Sequence, residues 1–383
     1  MLVRVDFNVP LVNGEVGDDS RIRAALPTLE LLRDRGAKLI LVSHLGRPER
    51  PDPELSMAPV AARLAELLGT DVRMAPAVVG PEVEALAEEL GPGDVVVVEN
   101  SRFEPGEIQN DPELARALAG LADVYVNDAF GAAHRAHATT EGVAHLLPAY
   151  AGLLLEREVE ELDRLREDPA PPVRLILGGA KVSDKIGVIE HFLGVADRIM
   201  IGGAMAFSFF KKRGTAVGNS LVDDSSVEAA AGILERAEGS SCELMLPVDL
   251  VLGRDLSADT ERREVDGVEV PDGWMGLDIG QRTAKSYADA IAGAGAAFWN
   301  GPMGAFELPP FAVGTRAVAE ALAAAPGLTI AGGGDSVAAL DELGLAGRLD
   351  WVSTGGGASL ELLEGRELPG VGALLDQRVA GSR

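Results

Sequence analysis

The sequence predicts an α/β protein with parallel sheets, folded as two or three domains. Short apolar runs alternate with helical stretches along the whole chain, which is the pattern of parallel strands covered by helices. The composition agrees, because 47% of the residues are hydrophobic and 46 are glycine. At 383 residues the chain is longer than one hydrophobic core usually serves, so each domain is expected to bury its own.

Charge and composition argue against several classes of partner. The formal net charge of −26 disfavours a nucleic acid or an anionic membrane. No apolar run reaches the ~18 residues of a membrane-spanning helix, and the N-terminus lacks a secretory pattern. The only cysteine, Cys242, stands in a strand-like segment, which favours an inert core residue and fits a reducing compartment. We therefore expect a cytoplasmic protein.

In the first half of the chain, strand-like runs deliver polar residues at their carboxyl ends. We expect strands at residues 2–7, 38–43, 94–99 and 123–128, one helix at 27–35 opened by Pro27, and another opened by Asp111 and Pro112. In open α/β sheets, ligands bind outside the carboxyl ends of the strands. The residues that follow these strands are therefore the first candidates for a site.

An arginine follows each of these strands, namely Arg21, Arg47, Arg102 and Arg135. Each alone is typical of a solvated surface, but four at equivalent sheet ends favour one shared cleft. Converging guanidinium groups suit a small ligand that carries both a carboxylate and a phosphate. His44 stands in the same kind of position. His134 and His137 lack further residues at metal-ligand spacing, which favours a hydrogen-bonding role for them.

A charged helical pattern at residues 151–166, followed by a proline cluster at 168–172, predicts a connector between domains. The alternation of strands and helices restarts after it. We expect strands at 173–177, 199–203, 296–300, 328–331 and 350–354, and an apolar helix at 204–210. The second half therefore predicts a further α/β domain.

Glycine-rich turns in this half indicate phosphate and nucleotide binding. In the turn at 178–185, Lys181 and Lys185 stand beside glycines on one helix face, where they would neutralise phosphate. The loop at 301–307 is flat and apolar and ends at Glu307, a residue suited to accept a hydrogen bond from a ribose hydroxyl. A triple glycine at 355–357 begins another helix.

The stretch LTIAGGGDSVAAL at 328–340 runs from a strand through Gly332, Gly333 and Gly334 into a helix. Its bare backbone N–H groups would meet an anion at the positive end of the helix dipole. Asp335 would repel an anion but fits a divalent metal held between a carboxylate and phosphates; a helix N-cap is the alternative. The chain contains no Gly-Lys dipeptide for a Walker-type loop, and the spacing here is not the dinucleotide fingerprint.

Together, nine motifs resemble those of the phosphoglycerate kinase family over nearly the whole chain. They are RVDFNVP (4–10), SRIRAALPT (20–28), SHLGRP (43–48), ENSRF (99–103), NDAFGAAHRAH (127–137), LGGAKVSDK (177–185), WNGPMGAFE (299–307), AGGGDS (331–336) and STGGGASLELLEG (353–365). Any one of them is weakly specific, whereas the set is highly specific.

The resemblance implies two doubly wound parallel-sheet (Rossmann-like) domains that face a central cleft. It implies a 3-phosphoglycerate-binding domain at 1–150 with a C-terminal tail at about 370–383, an interdomain helix at 151–168, and a nucleotide-binding domain at 169–369. The implied reaction is the reversible glycolytic transfer of a phosphoryl group between 1,3-bisphosphoglycerate and ADP, in-line and without a phosphoenzyme. The acceptor carboxylate needs no general base, so positioning, charge neutralisation and hinge-bending closure would carry catalysis.

The resemblance also implies individual site residues. For the substrate they are Asp6, Phe7, Asn8, Arg21, His44, Leu45, Gly46, Arg47, Arg102 and Arg135. For the nucleotide they are Gly179, Lys181, Lys185, Gly203, Asn300, Pro302, Glu307, Gly332, Gly333, Gly334, Asp335 and Ser336. The implied catalytic residues are Arg21, Lys181, Gly334 and Gly356. Asp335 would hold Mg²⁺ together with the ADP or ATP phosphates, in a monomer without nucleic-acid or membrane partners.

Two rival functions come from other classes of protein. A nicotinamide-dependent oxidoreductase would need the dinucleotide fingerprint that the chain lacks. A non-catalytic phosphometabolite-binding protein would keep the arginines but would need neither Lys181 nor Asp335. The chain also departs from the family's usual pattern at Ala204 and residues 252–254, near the expected adenine pocket, and at Gln281.

Overall fold

The structure, a computed structural model, describes the backbone of residues 1–380 and the side chains of residues 1–375. Within this range the chain divides into two compact units. One comprises Met1–Glu160 together with the chain from Glu367 onward, and the other is Glu161–Arg366. Residues 381–383 of the expected C-terminal tail lie outside the described range.

The first unit is a sheet with helices between its strands. Its strands are β1 (Leu2–Arg4), β2 (Leu11–Val12), β3 (Glu15–Val16), β4 (Leu39–Val42), β5 (Val72–Met74), β6 (Val95–Val97), β7 (Tyr125–Asn127) and β8 (Ala149–Ala151). Its helices are α1 (Ser20–Asp34), α2 (Ala58–Leu68), α3 (Pro81–Glu89), α4 (Pro112–Ala119) and the first part of α5 (Leu153–Glu167). The sheet order is β5-β6-β4-β1-β7-β8 with parallel pairings, and β2 and β3 form a separate hairpin.

The second unit repeats the architecture. Its strands are β9 (Val173–Leu177), β10 (Arg198–Ile201), β11 (Glu243–Met245), β12 (Leu250–Gly253), β13 (Arg262–Val265), β14 (Met275–Ile279), β15 (Ala296–Asn300), β16 (Leu328–Gly332) and β17 (Trp351–Ser353). Its helices are α6 (Ile186–Phe192), α7 (Ala206–Lys212), α8 (Asp224–Glu238), α9 (Gln281–Ile291), α10 (Val313–Ala324), α11 (Gly334–Glu342) and α12 (Gly357–Leu363). The main sheet, β11-β10-β9-β15-β16-β17, is parallel. The last helix, α13 (Pro369–Ala380), belongs to the first unit.

The prediction of an α/β fold with parallel sheets is confirmed in both units. The central strands β9, β15 and β16 are buried along their whole length, as strands covered by helices on both faces must be. The core of the second unit packs around Trp299 and Tyr287, and that of the first around Phe7 and Ile22. Among the described residues, no helix is both long and apolar enough to cross a membrane.

Two local predictions were wrong. The helix expected to begin at Pro27 begins at Ser20, so Pro27 lies inside α1. Starting early buries Ile22 and Ala25 in the core, which offsets the cost of about 3 kcal/mol for an internal proline. The second unit also contains an antiparallel sheet, β13-β12-β14, where only parallel strands were expected. Its strand β13 is mostly exposed and charged, so it carries little strand pattern.

Candidate active site

The carboxyl ends of four adjacent strands in the first unit carry the residues expected to bind substrate. Strands β6, β4, β1 and β7 lie side by side and parallel. The residues concerned are Asp6, Phe7 and Asn8 after β1, His44, Leu45, Gly46 and Arg47 after β4, Arg102 after β6 and Arg135 beyond β7. Because parallel strands end at the same edge of a sheet, these residues lie at one edge.

Two asparagine side chains fix the loop that follows β4. The buried Asn100 accepts a hydrogen bond from the Leu45 N–H at 3.1 Å and donates to the Leu45 carbonyl at 2.8 Å. Asn8 Oδ1 accepts from the Gly46 N–H at 2.8 Å. The loop that carries His44 is therefore held by residues from the two neighbouring strand ends.

The arginines at this edge lie within electrostatic range of one another. Burial lowers the pKa of Arg102 from its ordinary value, and Arg135, Arg4 and Arg47 lower it further by repulsion. An arginine stays charged at physiological pH in spite of such shifts. The edge therefore gathers positive charge in a chain whose net charge is −26, an arrangement suited to a ligand with carboxylate or phosphate groups.

Arg21 forms an ion pair with Asp6 at this edge. Its Nη1 lies 3.0 Å from Oδ2 of Asp6, and both side chains are shielded from much of the solvent. Asp6 also accepts a weak hydrogen bond from the Asn8 N–H at 3.4 Å. Phe7, between them, is fully buried and serves the core.

Two histidines at this edge, His44 and His137, are neutral at physiological pH. Burial, followed by nearby guanidinium groups, holds the pKa of His44 well below its ordinary value. Burial also lowers the pKa of His137 to about 4. Arg135 Nε donates to His134 Nε2 at 3.0 Å, so His134 acts as a hydrogen-bonding residue. Residues 1–375 contain no cluster of three or more His, Cys, Asp or Glu side chains able to hold a metal.

In the second unit, the glycine-containing loops that follow β9 and β15 contact each other at the point where the strand order of the main sheet changes direction. Numbered along the chain, the main sheet has the order 3-2-1-4-5-6, and folds of this order bind nucleotides in the crevice between strands 1 and 4. Those strands are β9 and β15. The Gly178 N–H donates to the Asn300 carbonyl at 3.0 Å, and the Gly179 N–H donates to the Pro302 carbonyl at 2.9 Å. A Cβ on Gly178 would lie 2.0 Å from the Pro302 oxygen, so the contact requires glycine.

A polar cavity of about 320 Å³ opens at this crevice. Its lining comprises Gly179, Ala180, Lys181, Asp184, Lys185, Asn300, Gly301, Gly333, Gly334, Asp335 and Ser336. Burial lowers the pKa of Lys185, while Asp184 and Asp335 oppose the shift. Two hydrogen bonds connect the loops beneath the cavity: Ser336 Oγ accepts from the Gly301 N–H at 2.6 Å, and Asn300 Nδ2 donates to the Gly332 carbonyl at 2.9 Å.

A second, apolar cavity of about 350 Å³ adjoins the polar one. Its wall includes Phe207, Leu221, Leu250, Leu256, Met275, Leu277, Ile279 and Met303, with Gly203, Pro302 and Glu307. The two cavities share Gly179, Ala180 and Asp335 in their linings. An apolar recess that continues into a glycine-lined cavity with two lysines suits a flat base with a phosphate chain.

Three predicted residues have a different setting from the one expected. The N-cap of α11 is Gly333, with φ +92°, and Asp335 lies within the first turn without a side-chain capping bond, so the N-cap alternative for Asp335 is wrong. Gly332 is the buried last residue of β16. Gly356, with φ +54°, is the N-cap of α12. Neither Gly332 nor Gly356 lines the two cavities.

Comparison with known proteins decides the family. The family model described as phosphoglycerate kinase matches residues 1–366. The chain belongs to the phosphoglycerate kinase family. The resemblance drawn from the motifs is thereby confirmed.

Curated relatives and solved structures agree. The chain is 56% identical to the phosphoglycerate kinase of Roseiflexus castenholzii over 378 residues, covering 98% of this chain and 96% of the relative. It is also 56% identical to that of Rubrobacter xylanophilus over 375 residues, covering 98% and 95%. The phosphoglycerate kinase structure from Coxiella burnetii matches with a TM-score of 0.87 and 39% identity, covering 98% of this chain and 96% of that one.

Membership of the phosphoglycerate kinase family makes the chain an enzyme, a kinase and therefore a transferase. The reaction is the reversible transfer of a phosphoryl group between 1,3-bisphosphoglycerate and ADP, a step of glycolysis. The predicted activity is therefore confirmed, and the oxidoreductase and the non-catalytic binding protein are set aside.

Most residues of the apolar cavity were not predicted from the sequence. Phe207, Leu250 and Leu277 come from α7, β12 and β14, which are far apart in the chain. Each is an ordinary core residue in its own segment, so no local pattern distinguishes it. Arg4, in the RVDFNVP motif, was not among the predicted residues, although it is 1% exposed. An arginine within a short apolar strand is the sequence signal that would have drawn attention to it.

Proposed function

We propose that the phosphoryl group passes directly between the two substrates, in-line and without a phosphoenzyme. The nucleotide binds to the second unit, and 3-phosphoglycerate or 1,3-bisphosphoglycerate binds to the first. The domains follow the bounds expected from the motifs: 1–150 with the tail from about 370, the connector 151–168, and 169–369. The acceptor carboxylate is already ionised at neutral pH, so positioning and charge neutralisation carry the reaction.

The observation that carries the nucleotide assignment is the junction of the two cavities at the crevice between β9 and β15. We assign the base and ribose to the apolar cavity, with Glu307 beside the ribose. The phosphates lie in the polar cavity against Gly179, Lys185 and the N-terminus of α11, whose first-turn N–H groups attract anions. Ser336 and Asn300 connect the loops beneath this cavity.

The arginine edge of the first unit is the substrate site in this proposal. Arg47, Arg102 and Arg135 neutralise the carboxylate and phosphate of 3-phosphoglycerate, and His44 and Asn8 contribute hydrogen bonds. Their grouping at four parallel strand ends supports the assignment. Arg21 and Lys181 stabilise the group in transfer, together with backbone N–H groups at Gly334 and Gly356. These contacts act only once both substrates are bound.

Mg²⁺ enters as part of the Mg-ADP or Mg-ATP substrate. Magnesium in such enzymes is held by one or two carboxylates plus phosphate oxygens and water, and Asp335 in the polar cavity provides a carboxylate of this kind. When bound, the ion neutralises phosphate charge. We further propose that the enzyme acts as a cytoplasmic monomer without nucleic-acid or membrane partners; the strongly acidic net charge supports the last point.

Calorimetry on arginine variants tests the two-site assignment. Arg47→Ala and Arg135→Ala should each weaken 3-phosphoglycerate binding about tenfold or more, since each removes a charged hydrogen-bond partner, and should leave Mg-ADP binding nearly unchanged. Arg116→Ala, an exposed arginine on α4, is the matched control and should change neither affinity. Equal losses for both ligands would mean one shared pocket and would refute the assignment.

A coupled assay of ATP formation from 1,3-bisphosphoglycerate, run with ADP and with GDP, measures the activity and the nucleotide preference. Quenched single turnovers test for a phosphoenzyme. We expect label from the acyl phosphate to appear only in ATP, whereas label retained on the protein would contradict direct transfer.

A further inference from the structure

Arg4, the last residue of β1, is a buried cation whose guanidinium touches a substrate-site residue. It is 1% exposed. Its Nη2 lies 3.0 Å from Nδ1 of His44, and its Nη1 donates to the Val5 carbonyl and lies 3.5 Å from Ser43 Oγ. The assignment of substrate residues gives Arg4 no role, although its terminal nitrogens contact Ser43 and His44 in the loop after β4 as well as the Val5 carbonyl.

The contact between Arg4 and His44 determines where the imidazole proton lies. A guanidinium carries N–H donors and has no acceptor. His44 Nδ1 must therefore accept the hydrogen bond, which requires that Nδ1 be unprotonated. The proton of the neutral ring then resides on Nε2, and an imidazolium is excluded while the contact lasts. Among the described residues, none accepts a hydrogen bond from Nε2, so this N–H is available to a ligand.

The surroundings of His44 reinforce the neutral form. The side chain is 8% exposed, and four guanidinium groups face it from different elements. These are Arg4 from β1, Arg21 from α1, Arg102 from the turn after β6 and Arg135 from the segment after β7. Burial is the largest cause that holds the pKa of His44 down, and the four positive charges act in the same direction. On this edge the carboxylate of Asp6 is paired with Arg21.

Arg4 is itself held by a buried relay of hydrogen bonds. Its Nε donates to Thr139 Oγ1 at 2.9 Å, and that hydroxyl donates to Glu107 Oε1 at 2.6 Å. The Thr139 N–H donates to Glu107 Oε2 at 3.1 Å. Thr139 and Glu107 are both fully buried. The chain Glu107–Thr139–Arg4–His44 therefore runs from the interior to the substrate edge, with the direction of each hydrogen bond fixed.

We propose that Arg4 is a positioning residue for the known reaction, which fixes His44 as the neutral Nε2–H tautomer so that His44 serves the substrate as a hydrogen-bond donor and not as a cation. The substrate's negative charge is then neutralised by arginines alone. This role rests on the proposed binding of 3-phosphoglycerate at the arginine edge.

Nitrogen NMR of the wild-type enzyme tests the tautomer directly. The chain contains five histidines, so His44→Gln assigns the ring of His44 by difference. We expect Nδ1 at the frequency of an unprotonated imidazole nitrogen and Nε2 at that of a protonated one, unchanged between pH 6 and pH 8. A proton on Nδ1, or titration of His44 within this range, would overturn the proposal. This measurement needs no variant of Arg4 to fold.

Arg4 variants separate positioning from mere support of the fold. Arg4→Met removes the donor, so His44 regains access to protonation as pH falls. We compare the 3-phosphoglycerate Kd of Arg4→Met with that of wild type at each pH. The ratio of the two Kd values should be about 10 at pH 8 and clearly smaller at pH 6. The ratio cancels titration of the substrate phosphate, whose second pKa is near 6. Arg4→Lys, which keeps a donor, should restore part of the affinity and the flat profile.

Arg174→Met is the matched control, since Arg174 is a buried strand arginine of the second unit that donates to the Ala290 carbonyl. It should leave the His44 spectrum and the 3-phosphoglycerate Kd unchanged. A constant Kd ratio for Arg4→Met from pH 6 to pH 8 would reduce Arg4 to a structural residue and overturn the proposal.

The same measurements distinguish the two proposals. Suppose that His44 carries its proton on Nδ1 while Arg47→Ala weakens 3-phosphoglycerate binding as expected. This result refutes only the role of Arg4. Suppose instead that His44 carries its proton on Nε2, that 3-phosphoglycerate does not change its spectrum, and that Arg47→Ala binds 3-phosphoglycerate with wild-type affinity. This result refutes the substrate site and with it the role given to His44.

Discussion

Lys181 and Lys185 stand four residues apart in the loop after β9 but in different environments. Lys185 is largely withdrawn from solvent, and burial lowers its pKa while Asp184 and Asp335 favour its charge. Lys181 is exposed at the rim of the polar cavity. A half-buried lysine close to two carboxylates suits a phosphate that is present throughout the cycle, whereas an exposed one remains available for a group that moves.

Lys181→Ala should therefore lower kcat far more than it raises either KM, because the lost charge acts on the group in transfer. We expect a fall of about 100-fold or more, the range for removal of one such electrostatic group. Lys185→Ala is the comparison and should mainly weaken nucleotide binding. Steady-state kinetics on both decides; a normal kcat with a large rise in KM for Lys181→Ala would make it a ground-state binder.

Asp335→Ala should abolish the Mg²⁺-dependent part of nucleotide binding with little loss of stability. Asp335 makes no capping bond, so only its interaction with the dipole of α11 is lost, about 0.3–1 kcal/mol. Asp111→Ala is the control, because Asp111 is the N-cap of α4 and accepts from the Glu113 N–H. It should cost about 0.5–2 kcal/mol and leave Mg-ADP affinity intact.

Calorimetry with and without Mg²⁺, together with urea unfolding, measures both effects. The metal assignment for Asp335 would be contradicted by an unchanged Mg-ADP affinity alongside a large loss of stability.

The start of helix α5 is held by the buried carboxylate of Asp128 and by Thr28, whose Oγ1 accepts from the Leu153 N–H at 2.9 Å. Asp128 Oδ1 accepts from the Leu154 N–H at 2.9 Å and the Leu155 N–H at 3.3 Å, and thereby satisfies two free donors of the first turn. Oδ2 of Asp128 is buried without a hydrogen-bond partner. Burial raises the pKa of this carboxyl to about 7. The element that the sequence predicts as a connector is therefore anchored by a group that titrates near neutrality.

The raised pKa makes the free energy of unfolding depend on pH. In the unfolded chain Asp128 titrates near 3.9. Between that value and about 7, the folded state keeps a proton that the unfolded state has lost, so stability falls as pH rises and levels off above the folded pKa. Asp128→Asn keeps one acceptor and cannot ionise. It should therefore raise the urea midpoint at pH 8 more than at pH 5.

Asp278 is a second buried carboxyl group, and it differs from Asp128 in that both of its oxygens accept hydrogen bonds. Burial raises its pKa to about 7 as well, but Oδ1 accepts from the Ile279 N–H and Oδ2 from the Gly314 N–H, each at 2.9 Å. An amide nitrogen at either position would face a donor. Asp278→Asn should thus cost about 1–3 kcal/mol. Equal effects of the two substitutions, or an effect of Asp128→Asn that is the same at pH 5 and pH 8, would contradict this account.

At the scale of the molecule, the two proposed sites belong to different compact units. The chain passes between the units within α5, after Glu160, and again after Arg366. Direct transfer requires the acceptor oxygen and the terminal phosphate to come within about 3–3.5 Å. Each ligand contributes only part of the differential affinity for such a closed state. We therefore propose that closure of the two units needs both ligands and that the units rotate about the connector. A second hinge is expected at 354–357, where three glycines can absorb a change in backbone conformation.

Small-angle scattering on the free, singly liganded and doubly liganded enzyme measures closure. The radius of gyration should fall fully only with 3-phosphoglycerate and a nonhydrolysable Mg-ATP analogue together. Arg47→Ala serves as a control, since it should lose the response to the substrate and keep that to the nucleotide. A radius that is the same in all four states would count against closure as part of catalysis.

The sequence by itself determined the features that depend on neighbours along the chain. Apolar runs gave the central strands, and β9 and β15 have the predicted bounds. The positions of the arginines after successive strands predicted that they lie at one edge of the sheet, because parallel strands end at the same edge. Glycine turns identified the loops that line the polar cavity, because the Gly178 contact with Pro302 excludes a side chain. The motifs together identified the family.

Only the tertiary structure decided what depends on residues distant in the chain. The apolar cavity combines α7, β12 and β14, none of which signals a base by itself. Burial of Ile22 overrode the proline signal in α1. The tautomer of His44 follows from Arg4, forty residues earlier. Burial and hydrogen-bond direction are properties of the packed chain, and a local pattern carries residue type and spacing but not the partner that each group meets.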